Sequence, residues 1–497
     1  MTTAHSNFAD HTPTKKSWIA LAVLLAGMFI ALLDTSIVNV ALPSIRMSLN
    51  ASESTLSWII SGYALTFGLA LIPAGRLGDR IGHKWVYLTG VALFTIASVA
   101  CGIAQNDPQI IIARVVQGLA GGIFLPAVTA FIQTLFNGKA RGKAFALMGA
   151  VIGVSTALGP IVGGLLIQAF GEADGWRWVF FVNIPIGIAT VIAAVLYLPA
   201  HDAEHVNVGL DWVGVVLVAA GLTAILVPLI QGQEEGWPLW TYLSMAGGLV
   251  IFVIFAAWEV AFAKHGRNPL VPPRLYAHAN FTLGTILALV YFAGFTSIFF
   301  SLSLFWQAGL HHTALETGMV SLPFAIGTII GSARSQGLAA RIGRNALALG
   351  LALVAISLGS LWLLLTNVEA TSLTNWIVLP SMLIGGLGNG LFLAPNAQFI
   401  VATVERADAG SAAGVVNTMQ RVGNAIGVAV VGSVLFGSLT TVAKTQQGSP
   451  ADIASGWAHA AANCLAVSTG LAVLSFLLIW ALPARVAGGG PAVPVGE

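Results

Sequence analysis

An all-α polytopic membrane protein is the fold class this sequence predicts, and three observations predict it. Of 497 residues, 57% are hydrophobic and only 8% charged, against about 25% charged in an ordinary soluble protein. Mean hydropathy is +0.87. Apolar runs long enough to cross a bilayer recur from end to end and leave no room for a large soluble domain. With 21 Lys and Arg against 19 Asp and Glu, the net charge of +2 offers no basic field to hold nucleic acid, which is excluded as a partner. Cys101 and Cys464 lie in apolar runs, too few and too far apart for a disulfide framework or a thiolate metal site, and read as buried thiols.

At ~1.5 Å per residue, about 20 apolar residues cross a ~30 Å hydrocarbon core. Charges and Pro or Gly clusters bound the runs. The first, 18–43, follows Lys15 and Lys16 and exceeds the roughly 7–15 apolar residues of a signal peptide, so it reads as a retained helix. Spans 55–75 and 85–104 flank the charged loop 76–84, 109–136 and 144–170 flank Lys139, Arg141 and Lys143, and 179–199 ends at Pro199. A pair follows at 211–231 and 240–262, then six more at 281–308, 317–334, 346–366, 376–402, 412–436 and 459–483. Fourteen transmembrane helices are predicted: a tail 1–17, a six-helix bundle 18–199, two inserted helices with their loops 200–280, a second bundle 281–483 and a tail 484–497.

An even count places both termini on one side, and the cations say which. Lys15, Lys16, Arg76, Arg80, Lys84, Lys139, Arg141, Lys143, Lys264, Arg267, Arg274, Arg334, Arg341, Arg344, Arg406 and Arg485 fall on the side of the termini. Only Arg46, Arg177 and Lys444 fall opposite, so both ends are expected in the cytoplasm. Arg114 and Arg421 remain inside spans and need a reason to be there. An internal repeat supports a transporter: Leu77-Gly-Asp-Arg-Ile-Gly-His-Lys84 and Leu338-Ala-Ala-Arg-Ile-Gly-Arg-Asn345 match in Leu, Arg, Ile and Gly, each after the second helix of its block. Two parallel repeats around a central site are expected.

Five segments carry a family resemblance. Gly75-Arg-Leu-Gly-Asp-Arg-Ile-Gly-His-Lys84 resembles the signature loop of the major facilitator superfamily, and Leu33-Asp-Thr-Ser-Ile-Val-Asn-Val-Ala-Leu-Pro43 the first-helix motif of its fourteen-helix drug:proton antiporters, the EmrB/QacA type. The stretches 113–122, 153–164 and 176–187 resemble that family's fourth-helix, antiporter and sixth-helix motifs. The resemblance implies the major facilitator fold, export by alternating access and drive by a proton gradient without a cofactor. It also implies that Asp79 faces the start of a helix in the other half, where the helix dipole favours an anion, and that Gly75, Arg76, Gly78, Arg80, Gly82 and Arg141 belong to the same conformational latch. In the second copy Ala340 replaces that aspartate, so the latch is one-sided.

The residues have physical readings of their own. Asp34 is the only carboxylate in the first span, ~13 Å below its outer end. Desolvation favours the neutral acid there and a nearby cation the carboxylate, so a group balanced between them can exchange protons. Arg114 is the natural partner if the first and fourth helices are neighbours, as the resemblance implies. A static packing pair is the alternative. Gly153, Gly159, Gly163 and Gly164 let helices approach, and Pro160 permits a bend; close packing alone would account for Gly163 and Gly164. Asn417, Gln420, Arg421 and Asn424 fall at i, i+3, i+4 and i+7, and Asn389 and Asn396 at i and i+7, as polar stripes in apolar helices. Such stripes either line the central cavity or bridge helices within one half. Trp58, Tyr63 and Gln117 are first-half cavity candidates, with packing as the alternative.

One motif misleads. His201-Asp-Ala-Glu-His205 matches a zinc-peptidase pattern but sits in a short loop with no catalytic domain around it, so no metal is expected. No phosphate-binding loop is present. The expectation is a monomeric plasma-membrane antiporter, not an enzyme, that exchanges protons for amphipathic small molecules. Multidrug efflux and dedicated export of one metabolite or antibiotic remain the two forms of it.

Overall fold

The computed structural model describes residues 14–51, 53–171, 173–199, 211–232, 235–267, 269–401, 404, 408–445 and 450–482. Its helices are α1 (Lys15–Leu49), α2 (Glu53–Ile81), α3 (His83–Gly102), α4 (Asp107–Leu135), α5 (Gly138–Phe170), α6 (Gly175–Phe181), α7 (Asn183–Tyr197), α8 (Trp212–Gln231), α9 (Leu239–Lys264), α10 (Ala279–Leu304), α11 (Ala314–Val320), α12 (Leu322–Ile342), α13 (Arg344–Asn367), α14 (Asn375–Val401), α15 (Ala409–Thr445) and α16 (Pro450–Leu478). Among the described residues there is no strand, and 14 stretches are long and apolar enough to cross a membrane. α6 with α7, and α11 with α12, each make one stretch. The hydropathy reading treated both as continuous. α6 ends at Phe181 and α11 at Val320, and Pro185 and Pro323 stand in the first turns of α7 and α12, where each lacks the N–H that would continue the ladder to the carbonyl four residues back.

Side chains that satisfy exposed backbone groups fix the ends. Asn106 accepts from Gln109 N at 3.1 Å to start α4, Asp211 accepts from Gly214 N at 2.9 Å to start α8, and Thr313 with Glu316 forms a capping box on α11. The two matched loops turn on their shared glycine: Gly82 has φ +94° and Gly343 φ +58°, open to glycine without strain. Just beyond each, a cation reaches the last helix of its block. Lys84 donates to Val195 O and Leu198 O, and Arg344 to Trp480 O and Leu482 O. Each stabilises a helix C-terminus whose carbonyls lack intrahelical partners.

The repeat extends to packing. In the first half α1 packs on α5 and α7, α2 on α4, and α3 on α4 and α7; in the second, α10 packs on α15 and α16, α12 on α14, and α13 on α14 and α16. The halves meet crosswise, α2 against α15 and α5 against α12, with α4 on α15 and α14 on α5 completing the seam. α8 and α9 pack on each other, and α8 also touches α2 and α15. α9 turns Leu249, Val250, Val253 and Ile254 outward, as expected of an apolar face in lipid.

Candidate functional site

Asp34 lies mid-way along α1 with no exposed surface, and Arg114 on α4 is 2% exposed. Arg114 Nη1 donates to Asp34 Oδ2 at 2.6 Å. Asp34 Oδ1 accepts from Gln117 Nε2 and Asn183 Nδ2, each at 3.0 Å. Gln117 is one turn from Arg114 and takes its Nη1 on Oε1 at 2.8 Å; Arg114 Nε donates to Ile59 O at 3.1 Å. Ser98 on α3 accepts from Gln117 and Asn183 at 3.2 and 3.0 Å and donates to Phe180 O at 2.9 Å. The Tyr63 ring lies 4.1 Å from the guanidinium carbon, its hydroxyl donating to Ala31 O at 3.2 Å. The cluster is a buried, neutral acid–base pair whose carboxylate already holds three donors.

Helix positions bring it together: Arg114 and Gln117 at i and i+3 share one face of α4, Ser98 and Cys101 one face of α3, and the break after α6 sets Asn183 at the first position of α7. Asn183 Oδ1 is buried with no hydrogen-bond partner among the described residues. Sequence reasoning missed Asn183 and Ser98. A polar side chain two residues ahead of Pro185 in an apolar run was the available signal for the first; Ser98 carried none. Tyr63 and Gln117, cavity candidates with packing as the alternative, are buried in this network, while Trp58 is half-buried.

Asp79 reaches the start of α15 in the other half. Its Oδ1 accepts from Gly410 N at 3.0 Å and its Oδ2 from Ser411 N and Oγ at 3.2 and 3.3 Å, with Arg76 at 3.8 Å and His83 at 3.3 Å. A Cβ on Gly75 would strike Gly410 O, one on Gly410 would strike Gly75 O, and one on Gly78 would strike His83. Arg80 is exposed at the end of α2, and Arg141 is half-buried in the first turn of α5.

The glycines of α5 face two ways. Gly159 and Gly163 abut Ser36 and Ile37 of α1, whereas Gly153 abuts Thr328 of α12, and Gly164 and Pro160 lie beside Leu315 and Gly318 of α11. In the second half, Asn389 accepts from Tyr291 at 2.6 Å and donates to Thr328 at 3.2 Å, joining α14 to α10 and α12. Asn396 is buried with Oδ1 unpaired among the described residues. Asn417, Gln420, Arg421 and Asn424 are half-buried on α15. Arg421 stacks its guanidinium 4.0 Å over the Phe67 ring of α2. That contact crosses the seam between the halves. The 201–205 motif lies outside the described residues.

A family model for the Major Facilitator Superfamily matches residues 24–428. The chain belongs to that superfamily. This major facilitator protein is 36% identical over 433 residues to the probable actinorhodin transporter of Streptomyces coelicolor, covering 87% of this chain and 74% of the other. It is 33% identical over 476 residues to the puromycin resistance protein pur8 of Streptomyces alboniger (95% and 92%) and 31% identical over 428 to the tetracenomycin C resistance and export protein of Streptomyces glaucescens (85% and 77%). Two solved structures share the fold at 15% identity. The human organic anion transporter MFSD10 has a TM-score of 0.66, covering 93% of this chain and 99% of that one, and the proton:xylose symporter XylE has 0.63, covering 94% and 96%. The protein is therefore a multi-pass membrane transporter and not an enzyme.

Proposed function

We propose that this transporter exports amphipathic small molecules from the cytoplasm in exchange for protons, and that Asp34 is the proton site. The observation that carries the reading is the buried Asp34–Arg114 pair, a lone acid and base enclosed by polar side chains on α3, α4 and α7. A proton on Asp34 cancels its charge and frees Arg114 from the 2.6 Å contact, leaving the guanidinium with Gln117 Oε1, Ile59 O and the Tyr63 face. α1 is thereby released from α4. α1 also rests on the Gly159–Gly163 face of α5, and the other face of α5 meets α11 and α12 across the seam. Loading of the proton site thus reaches the interface that must rearrange in alternating access. Asp79 holds the loop end closed until then, and the polar stripe of α15 lines the substrate path.

The relatives' names each state one antibiotic, which favours dedicated export of one compound or compound class over broad multidrug efflux. The cation distribution supports the plasma membrane with both termini cytoplasmic, and the repeated packing supports the six-plus-two-plus-six plan; a monomer working without a cofactor belongs to the proposal. The test is purified protein in proteoliposomes under an imposed ΔpH, with candidate antibiotics and several unrelated dyes as cargo. Uphill accumulation that disappears in Asp34→Asn, with the variant folded and still binding cargo, is the expected result. Uphill transport by Asp34→Asn would remove the assignment, and transport of every dye would restore the multidrug form.

A further inference from the structure

At the end of the molecule that carries Asp79, a second pair of acids is buried between the inserted helices, apart from the Asp34 cluster. Asp211 and Glu259 are each 3% exposed. Asp211 Oδ2 and Glu259 Oε1 lie 2.6 and 2.7 Å from the point a Cβ on Gly214 would occupy, so the two carboxyl groups face each other across that one point. The donors around them can be accounted for atom by atom. Asp211 Oδ1 takes Gly214 N at 2.9 Å and Trp258 Nε1 at 3.1 Å, and Oδ2 takes Trp258 Nε1 at 2.9 Å. Glu259 Oε2 takes Val271 N at 2.8 Å. Glu259 Oε1 is buried with no donor among the described residues, and what it faces is the other carboxyl group. Two ionised carboxylates facing each other out of water only accept and repel, and one hydrogen held between them removes both penalties.

The groups facing the pair do not supply it. Arg76 of α2 is within electrostatic range of Glu259 but lies 3.8 Å from Asp79. Tyr276, in the segment after α9, feels the Glu259 charge as a phenol. Arg274 of the same segment is paired at 2.7 Å with Asp408, just ahead of α15. We propose that Asp211 and Glu259 share one proton, a second protonation site carried by the inserted helix pair. The site adjoins the latch: Glu259 anchors Val271, three residues from Arg274, and Arg76, 3.8 Å from Asp79, is within electrostatic range of Glu259. With the proton bound, Arg76 serves Asp79; without it, a second anion competes for Arg76 and the latch loosens.

The test is infrared spectroscopy of the full-length protein in lipid nanodiscs, which reads the carbonyl stretch of protonated carboxyl groups without any transport. Near neutral pH, wild type and Asp34→Asn should both show the band, and titration to alkaline pH should remove it. Glu259→Gln and Asp211→Asn, each supplying an amide N–H in place of the shared hydrogen, should both lack it. A band that persists in either folded variant overturns the proposal, as does a wild-type protein with no band, or one metal ion per wild-type chain that Glu259→Gln loses. The Asp34→Asn spectrum keeps this outcome separate from the fate of the proposed transport proton site.

Discussion

At the scale of single residues, the two cations inside spans differ: Arg114 has an anion, and Arg421 has none among the described residues. Arg114 is committed to Asp34 at 2.6 Å, and removing one member of a buried pair leaves the other charged and desolvated. Arg114→Ala should therefore destabilise the protein by about 3–5 kcal/mol, read as a fall in thermal unfolding temperature in detergent. Arg114→Lys, which keeps a cation beside Asp34, should cost clearly less, and equal losses from the two substitutions would contradict the pairing. Arg421 has the Phe67 ring and, among the described residues, no acid paired with it, so an acidic cargo group is its natural complement. A charge-assisted contact is worth about 1.5–3 kcal/mol, roughly ten- to a hundredfold in Kd. Arg421→Ala should lose that factor for acidic cargo and little for cationic cargo, in binding measured on purified protein. An equal loss for both would mean that Arg421 only packs.

At the scale of helices, α2 and α15 touch backbone to backbone where Gly75 meets Gly410 and Asp79 caps the first turn. A methyl group at Gly75 must push those helices apart, at about 1–3 kcal/mol for an overpacked contact. Gly75→Ala should raise the labelling rate of a cysteine placed at the loop end of the seam. Asp79→Asn removes the anion from the helix N-terminus, worth roughly 0.3–1 kcal/mol there, so it should slow transport while equilibrium cargo binding survives. Loss of binding together with transport would assign Asp79 to folding instead. The break between α6 and α7 belongs to this scale as well, because it sets Asn183 against Asp34.

For the whole molecule, the crossed seam of α2 with α15 and α5 with α12 decides which faces can open. If the α15 stripe lines the path, cysteines at 417, 420, 421 and 424 should react with a small polar thiol reagent and be protected by cargo. One at Val415, which is 1% exposed, should not react. The background lacks Cys464 and carries Cys101→Ser, since Cys101 donates to Gln117 within the Asp34 cluster. Stripe positions as inert as Val415 would mean helix packing. One proton per cycle under one unit of ΔpH supplies ~1.4 kcal/mol, so electroneutral exchange should hold no more than about a tenfold cargo gradient in proteoliposomes.

The sequence by itself determined the fourteen spans, the matched loops and the standing of Asp34 and Arg114, because each is a local anomaly or a local period: hydropathy over twenty residues, a repeated octet, a charge where hydrocarbon should be. It placed the glycines of α5 without saying that they face α1 on one side and α11 and α12 on the other. Only the tertiary structure decided that Ser98 and Asn183 complete the Asp34 cluster, that Arg421 reaches across to Phe67, and that Asp211 and Glu259 face each other beside Gly214. Those are contacts between helices distant in sequence. Apolar patterning says that a helix is buried in lipid or protein, but not which neighbour it has, and a polar side chain takes its chemistry from that neighbour.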